Sequence, residues 1–184
     1  MTFPILVYGT PSLKKPSEPV GENFPELAQL VDDMFETMYA SDGVGLAAPQ
    51  IGRNIRLVVL DASAAAEGDQ KLKDCKRVLI NPEIYETSDD EVLMNEGCLS
   101  VPGIHEDVYR PEWVRVRYLD EQMTPHDELL EGFAARIAQH EIDHLEGTLF
   151  VERLSALRKT LLQGKLSSMS KGKYKADYKT RQNR

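Results

Sequence analysis

Leu27, Leu30, Val31, Met34, Phe35 and Met38 recur at spacings of three and four, which predicts an amphipathic helix over residues 25–40, stopped near Gly43. Ahead of it, Pro11, Pro16, Pro19 and Pro25 with Gly21 make residues 11–25 an extended, irregular lead-in. The apolar, β-branched run Ile55-Arg-Leu-Val-Val-Leu-Asp61 predicts a strand, and the small and polar residues 62–76 a loop. Arg77-Val-Leu-Ile-Asn81 reads as a short strand ended by Pro82. Trp113-Val-Arg-Val-Arg-Tyr-Leu119 alternates apolar with basic residues, the period-two pattern of a half-buried strand. Leu129 and Leu130 close a further strand, and Gly132 turns the chain into a helix over 133–146, carrying Phe133, Ile137 and Leu145 and closed by Gly147. A second helix, over 150–163, places Val151, Leu154, Leu157, Leu161 and Leu162 on one face. There is no internal repeat and no regular strand–helix alternation. The expected fold is α+β, with mostly antiparallel strands packed around a central helix and a C-terminal helix.

At 184 residues, 41% apolar and 28% charged, the chain has the size and composition of one globular domain. Residues 1–8 lack a basic segment and a small-residue cleavage site, and no apolar run approaches the ~18–20 residues of a membrane span. The expectation is a cytoplasmic protein without membrane contact. The net charge of −8 is unevenly placed: from Lys165 onward there are seven basic residues and one acidic residue, Asp177. That leaves a tail of about +6 on a body near −14. The expected division is a domain over 1–165 and a basic, flexible tail over 166–184. Such a tail is either a solvated extension or a contact for a polyanion.

The chemistry concentrates in His140-Glu-Ile-Asp-His144. On a helix, residues i and i+4 share a face with Cβ atoms about 6 Å apart, so both imidazoles can reach one metal ion. Glu141 lies about 100° round the helix, placed to face a water without ligating, as a general acid/base must. Three protein ligands leave room for water and substrate. A downstream third ligand fails: the position of the third histidine in the longer zinc-protease motif is Phe150, and beyond Glu152 no acid appears until Asp177. Upstream, Asn95-Glu-Gly-Cys98-Leu-Ser-Val-Pro102 offers a lone cysteine next to Gly97, which lets the backbone come close. Cys98 and Cys75 could form one disulfide, but in a reducing compartment an isolated cysteine near histidines is better read as a ligand or nucleophile. Cys75, in a polar stretch, reads as an exposed or edge cysteine, and His105 and His126 as surface residues, with His105 at a cleft rim. Cys-His-His ligation by itself suggests zinc.

Gly43-Val-Gly45-Leu-Ala-Ala-Pro-Gln50 is a small-residue loop. It matches G-x-G-x-x-A, but it follows a helix and precedes a strand, the reverse of a dinucleotide fingerprint. Its backbone is open enough for a peptide to pair along it. Pro49 stiffens the approach to Gln50, whose amide either donates to a developing oxyanion or is simply solvated in a tight turn.

Three segments together, Gly43-Val-Gly-Leu-Ala-Ala-Pro-Gln50, Glu96-Gly-Cys-Leu-Ser100 and Gln139-His-Glu-Ile-Asp-His144, resemble the peptide deformylases. The resemblance spans about residues 3–165 and, with the helix expected over 150–163, is closest to the bacterial type 1 form. It implies hydrolysis of the formyl group from the N-terminal formylmethionine of newly made polypeptides. It also implies metal binding by Cys98, His140 and His144, acid/base work by Glu141, and oxyanion stabilisation by Gln50 and the Leu99 N–H. Gly43, Val44 and Gly45 would bind the substrate backbone. The implied metal is Fe(II), replaceable by Ni, Co or Zn, and the implied partners are formylmethionyl nascent peptides. The resemblance carries nothing over for the tail after 165; the positive charge concentrated there is read as a contact for the ribosome, a polyanion, through the C-terminal helix and basic tail of a protein expected to be a monomer. The competing readings are a metalloendopeptidase with the same chemistry, and a nucleic-acid-binding protein with a structural zinc.

Overall fold

Strands made of Val, Leu and Ile pair mostly with their neighbours in sequence, as short connections favour. The computed structural model describes residues 1–66 and 70–182; residues 67–69 of the expected 62–76 loop and 183–184 of the expected tail lie outside the described residues. Five strands form the main sheet: β2 (Gly45–Ala47), β3 (Leu57–Asp61), β4 (Lys76–Thr87), β7 (Trp113–Leu119) and β8 (Pro125–Glu131), all paired antiparallel in the order β2-β3-β4-β7-β8. β5 (Glu91–Gly97) and β6 (His105–Pro111) make a separate antiparallel hairpin. β1 (Ile5–Leu6) pairs in parallel with β9 (Thr180–Arg181).

Two helices cover the sheet on opposite sides. α1 (Leu27–Ala40) buries Leu30, Val31, Met34, Phe35 and Met38 with Leu57, Val59 and Ile80 of the sheet. α3 (Gly132–Leu145) lies against the alternate positions Val58, Leu60, Leu79, Val114 and Val116. The period-two alternation of the strands thus serves two cores, each fully buried aliphatic side chain contributing about 1.5–3 kcal/mol. α3 ends where Gly147 takes φ +72, with its Cα so close to Lys14 that a Cβ would stand 2.6 Å from that residue's carbonyl. α4 (Ala156–Ser170) and the turn Phe150–Arg153 enclose a third cluster with Val101, Ile104 and Val108. The α+β architecture around a central helix is as expected.

Four expectations need correction. β4 runs on through Pro82, because the register shifts between Ile80 and Glu83 and Asn81 takes φ +50 there. A bulge needs no ladder hydrogen bond from the proline. The helix expected over 150–163 is instead a 3-10 turn followed, after the Ser155 cap, by α4; Val151, Leu154 and Leu162 of the expected face are buried, but Leu157 and Leu161 are exposed. The expected 62–76 loop holds the short helix α2 (Gln70–Lys73), and Cys75 is buried in the sheet core rather than at an edge. Most consequentially, the tail read as flexible is folded onto the domain. Residue 165 falls inside α4, and the chain beyond it returns to pair with β1, where Ile5 N–H donates to Lys179 O at 2.9 Å. The basic composition is compatible with this because its lysines point outward while Tyr174 and Tyr178 pack inward.

Candidate metal centre and active site

α3 presents His140 and His144 on one face, ring centroids 5.2 Å apart, both buried. Cys98, in the turn after β5, brings Sγ to 3.3 Å from His144 Nε2. Ligand atoms of Cys98, His140 and His144 all lie within 4.8 Å of one another. One soft thiolate and two imidazoles form a set that a divalent transition metal fits. Two buried atoms without a hydrogen-bond partner among the described residues, Glu141 Oε2 and His144 Nδ1, add to the polar demand of the site.

Behind the histidines stands a buried ionic network. His140 Nδ1 meets Glu96 Oε2 at 2.8 Å, which directs Nε2 towards the ligand cluster. Glu96 also accepts from Arg110 Nε at 2.6 Å, Arg110 Nη2 at 3.0 Å and Arg136 Nη1 at 2.7 Å. Arg110 Nη1 reaches Asp143 at 2.7 Å, and Arg153 clamps the same carboxylate with two bonds of 2.5 Å. Burial opposes ionisation of Glu96, but the bonds from His140 and Arg110 outweigh it and hold the carboxyl well below the usual range. For His144, burial pulls the ring well below its ordinary value, with the charge of His140 adding to it. Burial likewise pushes the Glu141 carboxyl up to about 7.

Gln50 is fixed by what surrounds it. The Ala47 N–H can only donate, and it lies 2.8 Å from Gln50 Oε1, so the amide NH₂ faces the other way. There it meets Ser100 Oγ at 3.2 Å and Cys98 Sγ at 3.7 Å. A glycine is required at 45: a Cβ there would stand 2.6 Å from Glu141 Oε1 and 2.8 Å from Ile137 Cγ2.

These residues share one cavity of about 540 Å³, lined by Gly43, Val44, Gly45, Gln50, Cys98, Leu99, His140 and Glu141, with His144 enclosed behind them. All nine residues singled out in the sequence therefore converge. His105 lies at the rim as expected. His126 is remote, paired with Asp120 at 2.8 Å. Cys75 and Cys98 are both free thiols. Sequence reasoning missed two parts of this region. One is the Glu96–Arg110–Asp143 network; the other is the wall formed by Lys175, Ala176, Asp177 and Tyr178. The only sequence signal for that wall is the pair of tyrosines interrupting a lysine run.

No helix among the described residues is long and apolar enough to cross a membrane. A model of the family described as polypeptide deformylase matches residues 2–160. The peptide deformylase of Cytophaga hutchinsonii is 45% identical over 179 residues, covering 97% of this chain and 96% of the relative. Among solved structures, Arabidopsis thaliana peptide deformylase 1B with an inhibitor superposes with a TM-score of 0.83 at 38% identity, covering 92% and 91% of the two chains. The Met-Ala-Ser-bound class I type b peptide deformylase of Acinetobacter baumannii gives a TM-score of 0.76 at 39% identity, covering 84% of this chain and 99% of that one. Agreement in sequence and fold extends across almost the whole chain, and the chain, which itself clusters Cys and His donors, belongs to the polypeptide deformylase family, whose members are metal-dependent enzymes.

Proposed function

We propose that this protein hydrolyses the formamide of N-formylmethionine at the start of newly made polypeptides, giving formate and a free amino terminus. The observation that carries the reading is the shared cavity, in which the buried Glu141 carboxyl stands beside Cys98, His140 and Gln50. Cys98, His140 and His144 would hold the metal, Fe(II) in the cell, with Ni, Co or Zn able to replace it. When bound, the ion acidifies water and polarises the formyl carbonyl.

Glu141 takes the proton from the attacking water and returns it to the leaving nitrogen. Its buried Oε2 has no hydrogen-bond partner among the described residues and is free to turn to the water. Gln50 Nε2 and the Leu99 N–H donate to the carbonyl oxygen as charge grows on it. Gly43, Val44 and Gly45 offer backbone along which the substrate lies as an added strand. The Met-Ala-Ser seen in the Acinetobacter relative has the form of the product expected here.

The test is formate release from formyl-Met-Ala-Ser by protein loaded with defined metals, alongside a peptide blocked at its amino terminus. Formate from the first with no internal cleavage of the second supports the reading. Internal cleavage would favour a metalloendopeptidase.

The protein is further read as a cytoplasmic monomer that meets its substrate at the ribosome. Support comes from α4, which exposes Leu157, Leu161 and Lys165, with Lys173 exposed just beyond it. Because the segment after residue 170 walls the cavity, deleting it is no neutral test. Lys165→Glu with Lys173→Glu should instead weaken salt-sensitive co-sedimentation with ribosomes, and equal pelleting of variant and parent would refute it.

A further inference from the structure

The segment after α4 does more than close the cleft. Tyr178 Oη donates to the Leu99 carbonyl at 2.7 Å. That carbonyl belongs to the peptide unit whose N–H is Ser100's, and Ser100 N–H donates to Cys98 Sγ at 3.4 Å. The hydroxyl, one planar peptide and the sulfur thus form a continuous donor chain. Peptide resonance transmits polarisation along it: a donor on the carbonyl oxygen makes the N–H a stronger donor.

The rest of the geometry holds this chain taut. Ser100 is fully buried; its carbonyl accepts from Tyr8 N–H at 2.8 Å and its hydroxyl from Gln50. Tyr178 is the residue before Lys179, whose carbonyl is pinned by Ile5. The Tyr178 ring packs against the α1 side of the core, so ring and hydroxyl have separable jobs.

We infer that Tyr178 is a positioning residue for the metal centre, acting through the Leu99–Ser100 peptide to orient and tune the Cys98 thiolate. The inference rests on the reading of Cys98 as a metal ligand. Hydrogen bonds to a ligating sulfur draw charge from it and fix its direction, which alters both the energy of sulfur-to-metal electron transfer and the hold on the ion.

The variant Tyr178→Phe removes the hydroxyl and keeps the ring. Cobalt-loaded protein gives two readouts independent of turnover: the thiolate-to-cobalt charge-transfer band, and the rate of cobalt loss to an excess of chelator. In Tyr178→Phe the band should move to longer wavelength. Release should quicken by about threefold to tenfold, the scale of one hydrogen bond. Thermal unfolding of the metal-free protein should stay close to the parent's. A band and a release rate equal to the parent's would overturn the inference while leaving the function intact. So would a variant altered only in the melting of the metal-free protein, because that is what a purely structural hydroxyl would produce. Absence of a thiolate-to-cobalt band in the parent itself would remove the metal-ligand reading and the inference with it.

Discussion

Glu96→Gln should damage the protein from behind its active site. Glu96 is 5% exposed and its two oxygens take four bonds, two from Arg110 and one each from Arg136 and His140. The amide removes the negative charge and, whichever way it lies, turns a donor towards guanidinium N–H groups, which can only donate. Asp143 still compensates Arg110, but it already serves Arg153, so Arg136 is left with the Val108 and Val92 carbonyls. Breaking a buried ion pair from one side costs about 3–5 kcal/mol. At roughly 2–4 °C per kcal/mol for a domain of this size, the midpoint should fall by roughly 10 °C. The assay is thermal unfolding of metal-free protein at pH 7, followed by circular dichroism. Metal affinity should fall as well, by about 10- to 100-fold, because His140 loses the acceptor that orients it. The pH dependence has a definite sign. The folded carboxyl is depressed, so its contribution is fully present above the ordinary glutamate value of 4.5 and lost as pH falls below it towards the folded value. The part of the gap that comes from the Glu96 carboxyl itself should therefore persist down to about 4.5 and narrow only below it. A midpoint within about 3 °C of the parent's at pH 7 would refute the argument, since it would mean that the network contributes little.

Glu141→Ala should retain its metal and lose activity by several orders of magnitude, whereas Cys98→Ala should emerge metal-poor; elemental analysis of the two reverses the assignment if the pattern is opposite. Gln50→Leu should lower kcat by roughly 10²–10³ with metal content unchanged, and a kcat within about twofold of the parent's would show that the amide is not an oxyanion donor. In Gly45→Ala the new Cβ meets the Glu141 carboxylate at 2.6 Å, so kcat should drop while metal content holds; unchanged steady-state kinetics would show that Glu141 can move aside freely. Iron-loaded protein prepared without oxygen should lose activity quickly in air while the nickel form persists, and equal lifetimes would argue against iron at an open thiolate site.

The Cys98–His140–His144 cluster was legible because its information is local. His140 and His144 are one turn apart, and the failure of any downstream ligand left Cys98. The strands of the main sheet were legible where Val, Leu and Ile alternate. The β5–β6 hairpin escaped for a physical reason: its inward positions include Glu96, Glu106 and Arg110, so its burial alternates without a matching alternation of hydrophobicity. Charged residues are read as solvent-facing by default, and only the three-dimensional match to Asp143, Arg136 and Arg158 reverses that. The region after residue 165 misled in the same way, since its lysines dominate the composition while two tyrosines decide where it goes. Pro82 misled as a strand terminator because a bulge cannot be seen without the partner strand.

The parallel pairing of β1 with β9 also sets the order in which the molecule can be made. Gln182 bonds to Tyr8 across 174 positions, and Ile5 waits for Lys179 over a similar span. During synthesis from the amino terminus, the β-sheet, α3 and the Cys98 turn are all complete before β9 exists. Until then Ile5 and Leu6, both buried in the finished protein, lack their partner strand. Closing so long a loop comes late, after local structure has formed. A half-made chain can therefore carry Cys98, His140 and His144 and still lack the clasp around them, which closes only once the segment after α4 has been made.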